Sequence, residues 1–455
     1  MAKKRRFDGQ EKDFKQKKST PVEVIAEDVT NHPLCLHGPT LLFSSEKGRY
    51  FSCSLCRKKQ DCTVHIEEDD WKKENVRKLN EKYYNLIPKL DKAAAWKNFN
   101  EIKLKHATSR AYCDTCKELY IVAQSKKHLK DHRVIMSLTD EQLANPTTWL
   151  PPLENDQREA QYLFSKKAVS TVLGILKNNS IGNILCVGTP SIHEAAQAHP
   201  DFDSLLLDYD TRHHLFNPPS KFLWYNMFND YLFNGNQDEK ILKKFFKNSK
   251  DKGLCIVIDP PFGGRVEPLV QTIKDLSAAY RKVCEGEGLL PVIWAFPYFS
   301  EPYIRNIAPE IKMHDYQVEY QNHKKFQKGG RKVGSAVRFF TNLPFVTIDL
   351  SNDSNYKHCD KCKYWVSVSN THCNKCKECT SKDGTTYKHC NICRRCVKPT
   401  YEHCKVCARC CHVKHECGTV VESQSCYKCN EKGHKQSQCP QSEGQVNNKK
   451  KRKTA

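Results

Sequence analysis

The sequence predicts an α/β domain, a doubly wound sheet of about seven strands with an antiparallel edge, flanked by small zinc-binding modules. Three observations predict it. Between residues 150 and 350, strand-type runs alternate with helix-type patterns, the signature of a mostly parallel sheet covered on both faces. After "VIWAFPYF" the strand-type runs follow one another too closely for crossover helices, so they pair antiparallel at one edge. Outside this stretch, cysteines fall in closely spaced clusters instead of within apolar runs.

In chain order, the strands expected are "NILCVG", "SLLLD", "FLWYNMF", "LCIVIDP" and "LPVIWAF", followed by "YQVEYQNH", "SAVRFFTN" and "FVTIDL" at the antiparallel edge. Composition divides the rest. Residues 1–27 read as a basic arm and 28–72 as a first zinc finger. Residues 73–149 hold most of the helix-like stretch "DDWKKENVRKLNEKYYNLI", which begins at Asp69, and a second finger. The segment "NPTTWLPPLEN" reads as the linker into the sheet domain, 150–352. Then come a Cys/His-rich region (353–420), a compact motif (421–442) and a basic tail (443–455).

The 455 residues carry a formal net charge of +22, with 74 Lys+Arg against 52 Asp+Glu, which favours a polyanionic partner because each neutralised phosphate releases counterions. Both ends are basic, Lys3, Lys4, Arg5 and Arg6 at one and "KKKRK" at the other, and read as arms for nucleic acid, as nuclear import signals, or as both. The mean hydropathy of −0.70 and the lack of a long apolar run argue against a membrane span, and the N-terminus lacks the apolar core of a secretory signal. An intracellular protein is expected, in which 25 cysteines point to zinc rather than disulfides. Cys186, Cys255 and Cys284 stand apart, in or beside apolar segments, and are expected in the core.

In an open parallel sheet the ligand sits beyond the carboxyl ends of the strands. The first strand ends at Gly188, a tight turn into a helix. The second ends at Asp208, a carboxylate suited to ribose hydroxyls, and the third at Asn226 and Met227, suited to an adenine edge and face. The fourth ends in "DPPF", residues 259–262. An aromatic amine is a poor nucleophile because its lone pair is delocalised. The Asp259 side chain and the Pro260 carbonyl can accept both of its protons and favour a pyramidal nitrogen. Pro260 and Pro261 stiffen that shelf, and Phe262 stacks on a base for about 1–3 kcal/mol. The set suits methyl transfer to a planar amine.

"DPPF" resembles the [DN]PP[FYW] motif of the class I, Rossmann-like, S-adenosylmethionine-dependent amino-methyltransferases. "AQYLF", with Gln161, Tyr162, Leu163 and Phe164, is similar to the segment that packs on the cofactor in several adenine methyltransferases. With "PLCLHGPTLLF", "LCVGTP", "LLLD", "YNMFN", "DPPFGG" and the C-terminal cysteine array, the chain resembles the zinc-finger ribosomal-RNA N6-adenosine methyltransferases. That resemblance implies S-adenosylmethionine as cofactor, an adenosine of large-subunit ribosomal RNA as substrate, and a nuclear, nucleolar site of action with the cytoplasm as a second location. The competing readings are a non-catalytic RNA-binding protein on this fold, and a methyltransferase for DNA adenine or for a protein amide. The last fits poorly with several zinc modules and basic tails.

Four zinc regions are expected. Cys113, Cys116, His128 and His132 follow C-x2-C-x11-H-x3-H, a tetrahedral set. Cys35, His37, Cys53 and Cys62 resemble the ligands of a GRF-type finger, with Cys56 an alternative to either of the last two. Cys426, Cys429, His434 and Cys439 follow C-x2-C-x4-H-x4-C, the zinc knuckle that presents Tyr427 and its neighbouring lysines to unpaired bases. Between these lie "HCDKC", "HCNKCKEC", "HCNICRRC" and "HCKVCARCCHVKHEC", their first cysteines 14, 17 and 14 residues apart. Thirteen cysteines and six histidines (His358, His372, His389, His403, His412, His415) suit three or four zincs. The ligands expected are Cys359, Cys362, Cys373, Cys376, Cys379, Cys390, Cys393, Cys396, Cys404, Cys407, Cys410 and Cys417, with His403 and His415. The stretch is similar to the cysteine-rich domain of palmitoyltransferases, but "KHEC" replaces the DHHC signature and no membrane helices accompany it. A zinc-held scaffold is the reading, since few apolar residues remain to build a core.

Overall fold

A computed structural model describes residues 23–25, 29–55, 61–71, 73–124, 128, 131–153, 161–322 and 335–417. Cys56, both basic ends and the knuckle cysteines lie outside these residues.

The expected strands supply the framework: β1 (Asn183–Val187), β2 (Asp203–Asp208), β3 (Phe222–Asn226), the short β4 (Tyr231–Leu232), β5 (Leu254–Ile258), β6 (Val292–Pro297), β7 (Lys312–Gln317) and β8 (Val337–Thr341). They form one eight-stranded sheet in the order β4-β3-β2-β1-β5-β6-β8-β7. The neighbours from β3 through β6 are parallel, and β8 pairs antiparallel with both β6 and β7. The order reverses at β1, between β2 and β5, so a ligand crevice is expected where the carboxyl ends of β1 and β5 diverge.

Side chains along each strand alternate between two cores, as a sheet covered on both faces requires. Ile184, Cys186, Leu206, Cys255, Val257 and Ile293 pack with Ala168, Val172, Ile175 and Leu176 of helix α1 (Lys166–Asn178) and Ile192 of α2 (Pro190–Gln197). Leu185, Val187, Leu207, Ile256, Ile258 and Trp294 face α3 (Asn236–Asn248) and α4 (Val266–Cys284). Burying one such side chain stabilises the fold by about 1.5–3 kcal/mol. Cys186, Cys255 and Cys284 are buried members of these cores.

Two strand expectations shift. β7 begins at Lys312, ahead of "YQVEYQNH", although Val318 still donates its amide to the Val337 carbonyl at 3.1 Å. "FVTIDL" is not a strand: Phe345–Thr347 make a 3-10 turn opened by Pro344, which has no N–H for a ladder. Asn178 and Asn179 at the end of α1 bond to Thr347, and Ile348 and Leu350 are buried in the core beside α1. The linker segment is also docked: the Thr147 amide and hydroxyl both bond to Glu194.

The zinc modules pack against this sheet. The Ser367 amide and the Asn370 side chain donate to Asp315 on β7, each at 2.9 Å. Tyr356 stacks on Tyr316 with ring centroids 5.8 Å apart, and its hydroxyl accepts the Gln317 amide. At the opposite edge the first finger docks through its "HGP" turn. Gly38 has φ of +90°, and an added Cβ would lie 2.7 Å from the Tyr231 ring, so both conformation and space call for glycine there. No helix among the described residues is long and apolar enough to cross a membrane.

Candidate functional site

The register brings the four expected strand ends together. Val187 pairs with Leu207 and with Ile258, and Asp208 pairs with Trp224, so Gly188, Asp208 and Asp259 leave the sheet side by side. Gly188 has φ of +64°, and a Cβ on it would lie 2.6 Å from the Met227 methyl and 3.2 Å from the Asp259 carbonyl oxygen. The bare backbone leaves room for close approach at the switch point.

Asp208 is buried, and one of its oxygens accepts the Asp210 amide at 2.8 Å. Burial pushes its pKa up to about 6, despite the nearby charge of His213. A desolvated carboxylate of this kind suits hydroxyl hydrogens as partners. Its neighbour Asp210 behaves in the opposite way. Burial alone would raise it, but Arg212, which reaches both carboxylate oxygens, holds it at about 2. Gln161 belongs to this network, donating to Asp210 at 3.2 Å and accepting from Arg212 and the Leu153 amide.

The rest of "AQYLF" runs beside residues 319–322. The Leu163 amide donates to Asn322 Oδ1, the Leu163 carbonyl accepts the Gln321 amide, and Phe164 forms a single bridge with Tyr320. An aromatic cluster results. Tyr162 stacks on Phe262 at 5.1 Å, Phe164 stacks on Tyr320 at 5.3 Å, and Phe262 meets Tyr320 edge-on at 5.8 Å. Asp259 sits at its edge, half-buried, with Oδ1 accepting the Tyr320 hydroxyl at 3.0 Å. Burial pushes the Asp259 carboxyl well above its usual range, with the Tyr320 hydroxyl acting against that shift. The turn after it is tight: the Gly264 amide reaches the Pro261 carbonyl at 2.7 Å.

Asn226 is placed differently from the adenine contact expected of it. Its amide donates to the His37 carbonyl and Ser54 Oγ, and its oxygen accepts the Phe228 amide, so the side chain ties the first finger to the sheet. Asn229 reinforces that tie through the His37 and Pro39 carbonyls. Met227, beside it, does face Gly188. Tyr320 was not singled out by the sequence, where its only signal was a second aromatic in an edge-strand run.

Among the described residues, six clusters gather expected metal ligands, those of the knuckle and Cys56 lying outside. Cys35, His37, Cys53 and Cys62 form the first, so Cys62 completes it; Cys113, Cys116, His128 and His132 form the second. In the array, Cys359, Cys362 and Cys379 join His372. Cys373, Cys376 and Cys396 join His389, and Cys390, Cys393 and Cys410 join His403. Cys404, Cys407, His415 and Cys417 make the fourth set, with Cys404 3.5 Å from Cys417 and His415 Nε2 3.6 Å from Cys407. His372 and His389 therefore add to the two histidines expected. The signal was present in the repeated "HC" pair: each histidine serves the site before it, and the following cysteine opens the next. His358 precedes the first site and instead lies 3.1 Å from Asp360.

The geometry fits zinc. Zn–S bonds near 2.3 Å and Zn–N bonds near 2.0–2.1 Å imply ligand–ligand edges of roughly 3.5–3.8 Å. Cys376 Sγ lies 3.3 Å from His389 and 3.7 Å from Cys396; Cys362 Sγ lies 3.2 Å from His372 and 3.8 Å from Cys379. Successive sites are laced together by side chains at their tips, Lys361 to Asn374 and Lys375 to Asn391.

Comparison with known proteins agrees with this arrangement. A family model described as a probable N6-adenine methyltransferase matches residues 155–343. Over the whole chain, rRNA N(6)-adenosine-methyltransferase ZCCHC4 of Xenopus tropicalis is 42% identical across 425 residues, 90% of this chain and 86% of the relative. The Xenopus laevis protein of the same name is 42% identical over 431 residues, 91% and 87% of the two chains. The human one is 36% identical over 360 residues, 74% and 69%.

Proposed function

The chain belongs to the rRNA N6-adenosine-methyltransferase family, and from that membership we propose that it methylates N6 of an adenosine in large-subunit ribosomal RNA. S-adenosylmethionine, when bound, supplies the electrophilic methyl group. Gly188 and Met227 would border its place at the switch point, Asp208 would accept the ribose hydroxyls, and Gln161 steadies the turn that follows Asp208. The single observation that carries the reading is Asp259 at the end of β5, beside Gly188 and against the aromatic cluster.

The target adenine enters flipped or from a single-stranded segment, since a stacked base cannot reach a site at a strand end. Phe262 stacks on its face, with Tyr162 behind. The free Asp259 oxygen and the Pro260 carbonyl accept the two amine hydrogens, directing the nitrogen lone pair at the methyl group. Transfer would form the N–C bond as the methyl–sulfur bond breaks with its electron pair left on sulfur, and the surplus proton of the amine passes through the Asp259 carboxylate to solvent. The fingers, the array and the knuckle bind the flanking RNA, and nuclear, nucleolar localisation follows from that substrate.

The test is direct. Purified protein with methyl-labelled cofactor and ribosomal RNA should yield labelled N6-methyladenosine after digestion to nucleosides. Label confined to DNA or to protein would replace this reading.

A further inference from the structure

Among the described residues, Tyr320 is the one side chain hydrogen-bonded to Asp259, and nothing in its chain position explains why a tyrosine is needed there. A phenylalanine would fill the same space: the residue is buried, with its ring against Phe164, Tyr162 and Phe262. Its backbone is clamped to the cofactor-side segment as well, through the Phe164 bridge and the Gln321 and Ser165 amides. The hydroxyl is thus held at a fixed point, 3.0 Å from Asp259 Oδ1.

Resting on the role proposed above for Asp259, we propose that the Tyr320 hydroxyl is a positioning group for the methyl-accepting amine. By occupying Oδ1 it fixes the carboxylate plane and leaves Oδ2 to meet the target N–H. An ionised carboxylate only accepts hydrogen bonds, whereas a protonated one carries an O–H that competes for the nitrogen lone pair. The hydroxyl donates more strongly to the ionised carboxylate than to the neutral acid, so it also opposes the protonation that burial favours. Among the described residues, the ionisable groups acting on this pair are Tyr320 itself and Tyr162. No lysine, arginine or histidine among the described residues shares that task. Asp259's own amide is spent on the Val187 carbonyl.

The experiment is a set of pH–rate profiles on the full chain with saturating cofactor and ribosomal RNA, for wild type, Tyr320→Phe, Asp259→Asn and the double variant. Tyr320→Phe should lose roughly tenfold in turnover at neutral pH, the scale of a hydrogen bond to a charged group. Turnover should recover as pH rises, because the acidic limb moves upward. Cofactor and RNA affinities should stay within about twofold of wild type, as ring and backbone are retained. Asp259→Asn keeps a neutral acceptor that does not titrate, so its acidic limb should flatten and adding Tyr320→Phe should not shift the profile. A Tyr320→Phe profile superimposable on wild type, or turnover above it, overturns the inference. An Asp259→Ala arm separates the two levels: if that variant stays active, the role of Asp259 itself falls. If it is inactive while Tyr320→Phe is normal, only the tyrosine's role falls.

Discussion

The catalytic sheet and the cysteine array are adjacent in the chain and in space, yet they are held together by different physics. The sheet alternates apolar side chains into two cores, and Trp294, Phe296 and Phe340 are fully buried. The apolar side chains that the described array, residues 356–417, buries besides Cys410 and Cys411 are Tyr356, Val366 and Val397, and Tyr356 belongs to the sheet's core. Three apolar side chains are too few to offset the conformational entropy of ordering this stretch. Its Cys/His clusters could hold metal, and in sites of this kind metal binding supplies folding free energy. The lesson is that cysteine has two roles in one molecule, an inert core residue in the sheet and a fold-defining ligand in the array.

The largest effect that sharpens this contrast is metal removal. Strong chelation should unfold the array while the sheet persists, read by hydrogen exchange. Amides of 356–417 should lose protection and those of β1 and β5 should keep it. Loss of protection in both at once would show that the sheet depends on the metal as well. Smaller, but on the same axis, are paired cysteine substitutions. Cys376→Ser should release one zinc and open the second array site, whereas Cys255→Ala in the core should cost only about 1–2 kcal/mol of stability. Equal costs would erase the distinction.

Next comes the bare turn at the switch point. Gly188→Ala places a methyl 2.6 Å from Met227 and a Cβ at positive φ, so cofactor affinity should fall by at least tenfold with the array's metal content unchanged. The smallest effect is a pH dependence. Asp208 has its pKa raised to about 6 by burial. Lowering pH through 6 should weaken cofactor binding by titration calorimetry, as the carboxylate that accepts hydroxyl hydrogens becomes protonated. Stability runs the other way for this group. A raised folded pKa means that its contribution is fully present below the unfolded value near 3.9 and is lost as pH rises through 6. Asp208→Asn should remove both trends.

Much of this was legible in the sequence. The parallel strands carry continuous apolar runs and end at the residues that chemistry singles out, so the strands and the ends that carry Gly188, Asp208 and Asp259 followed from pattern, while the strand order came from the structure. Ligand spacing exposed the fingers and the array. What pattern missed was set by tertiary partners. "FVTIDL" has strand composition, but Pro344 and the tether from Asn178 and Asn179 turn it along helix α1. Asn226 sits where a cofactor contact was expected, but its amide is taken by the His37 carbonyl of a finger about 190 residues earlier in sequence. His372 and His389 are bound to sites whose first cysteines precede them, an interleaving visible only once the "HC" pairs are assigned backwards. Tyr320 acts across the sheet from Asp259, and no local spacing connects them.

The measurement that bears most directly on the account compares wild type with Asp259→Ala on ribosomal RNA, reading N6-methyladenosine by mass spectrometry of digested nucleosides. Cofactor and RNA affinities are determined on the same preparations. The account predicts methylation by wild type and a loss of about 10²-fold or more in the variant, the scale of one lost transition-state acceptor, with both affinities preserved. A variant that methylates within tenfold of wild type would contradict it.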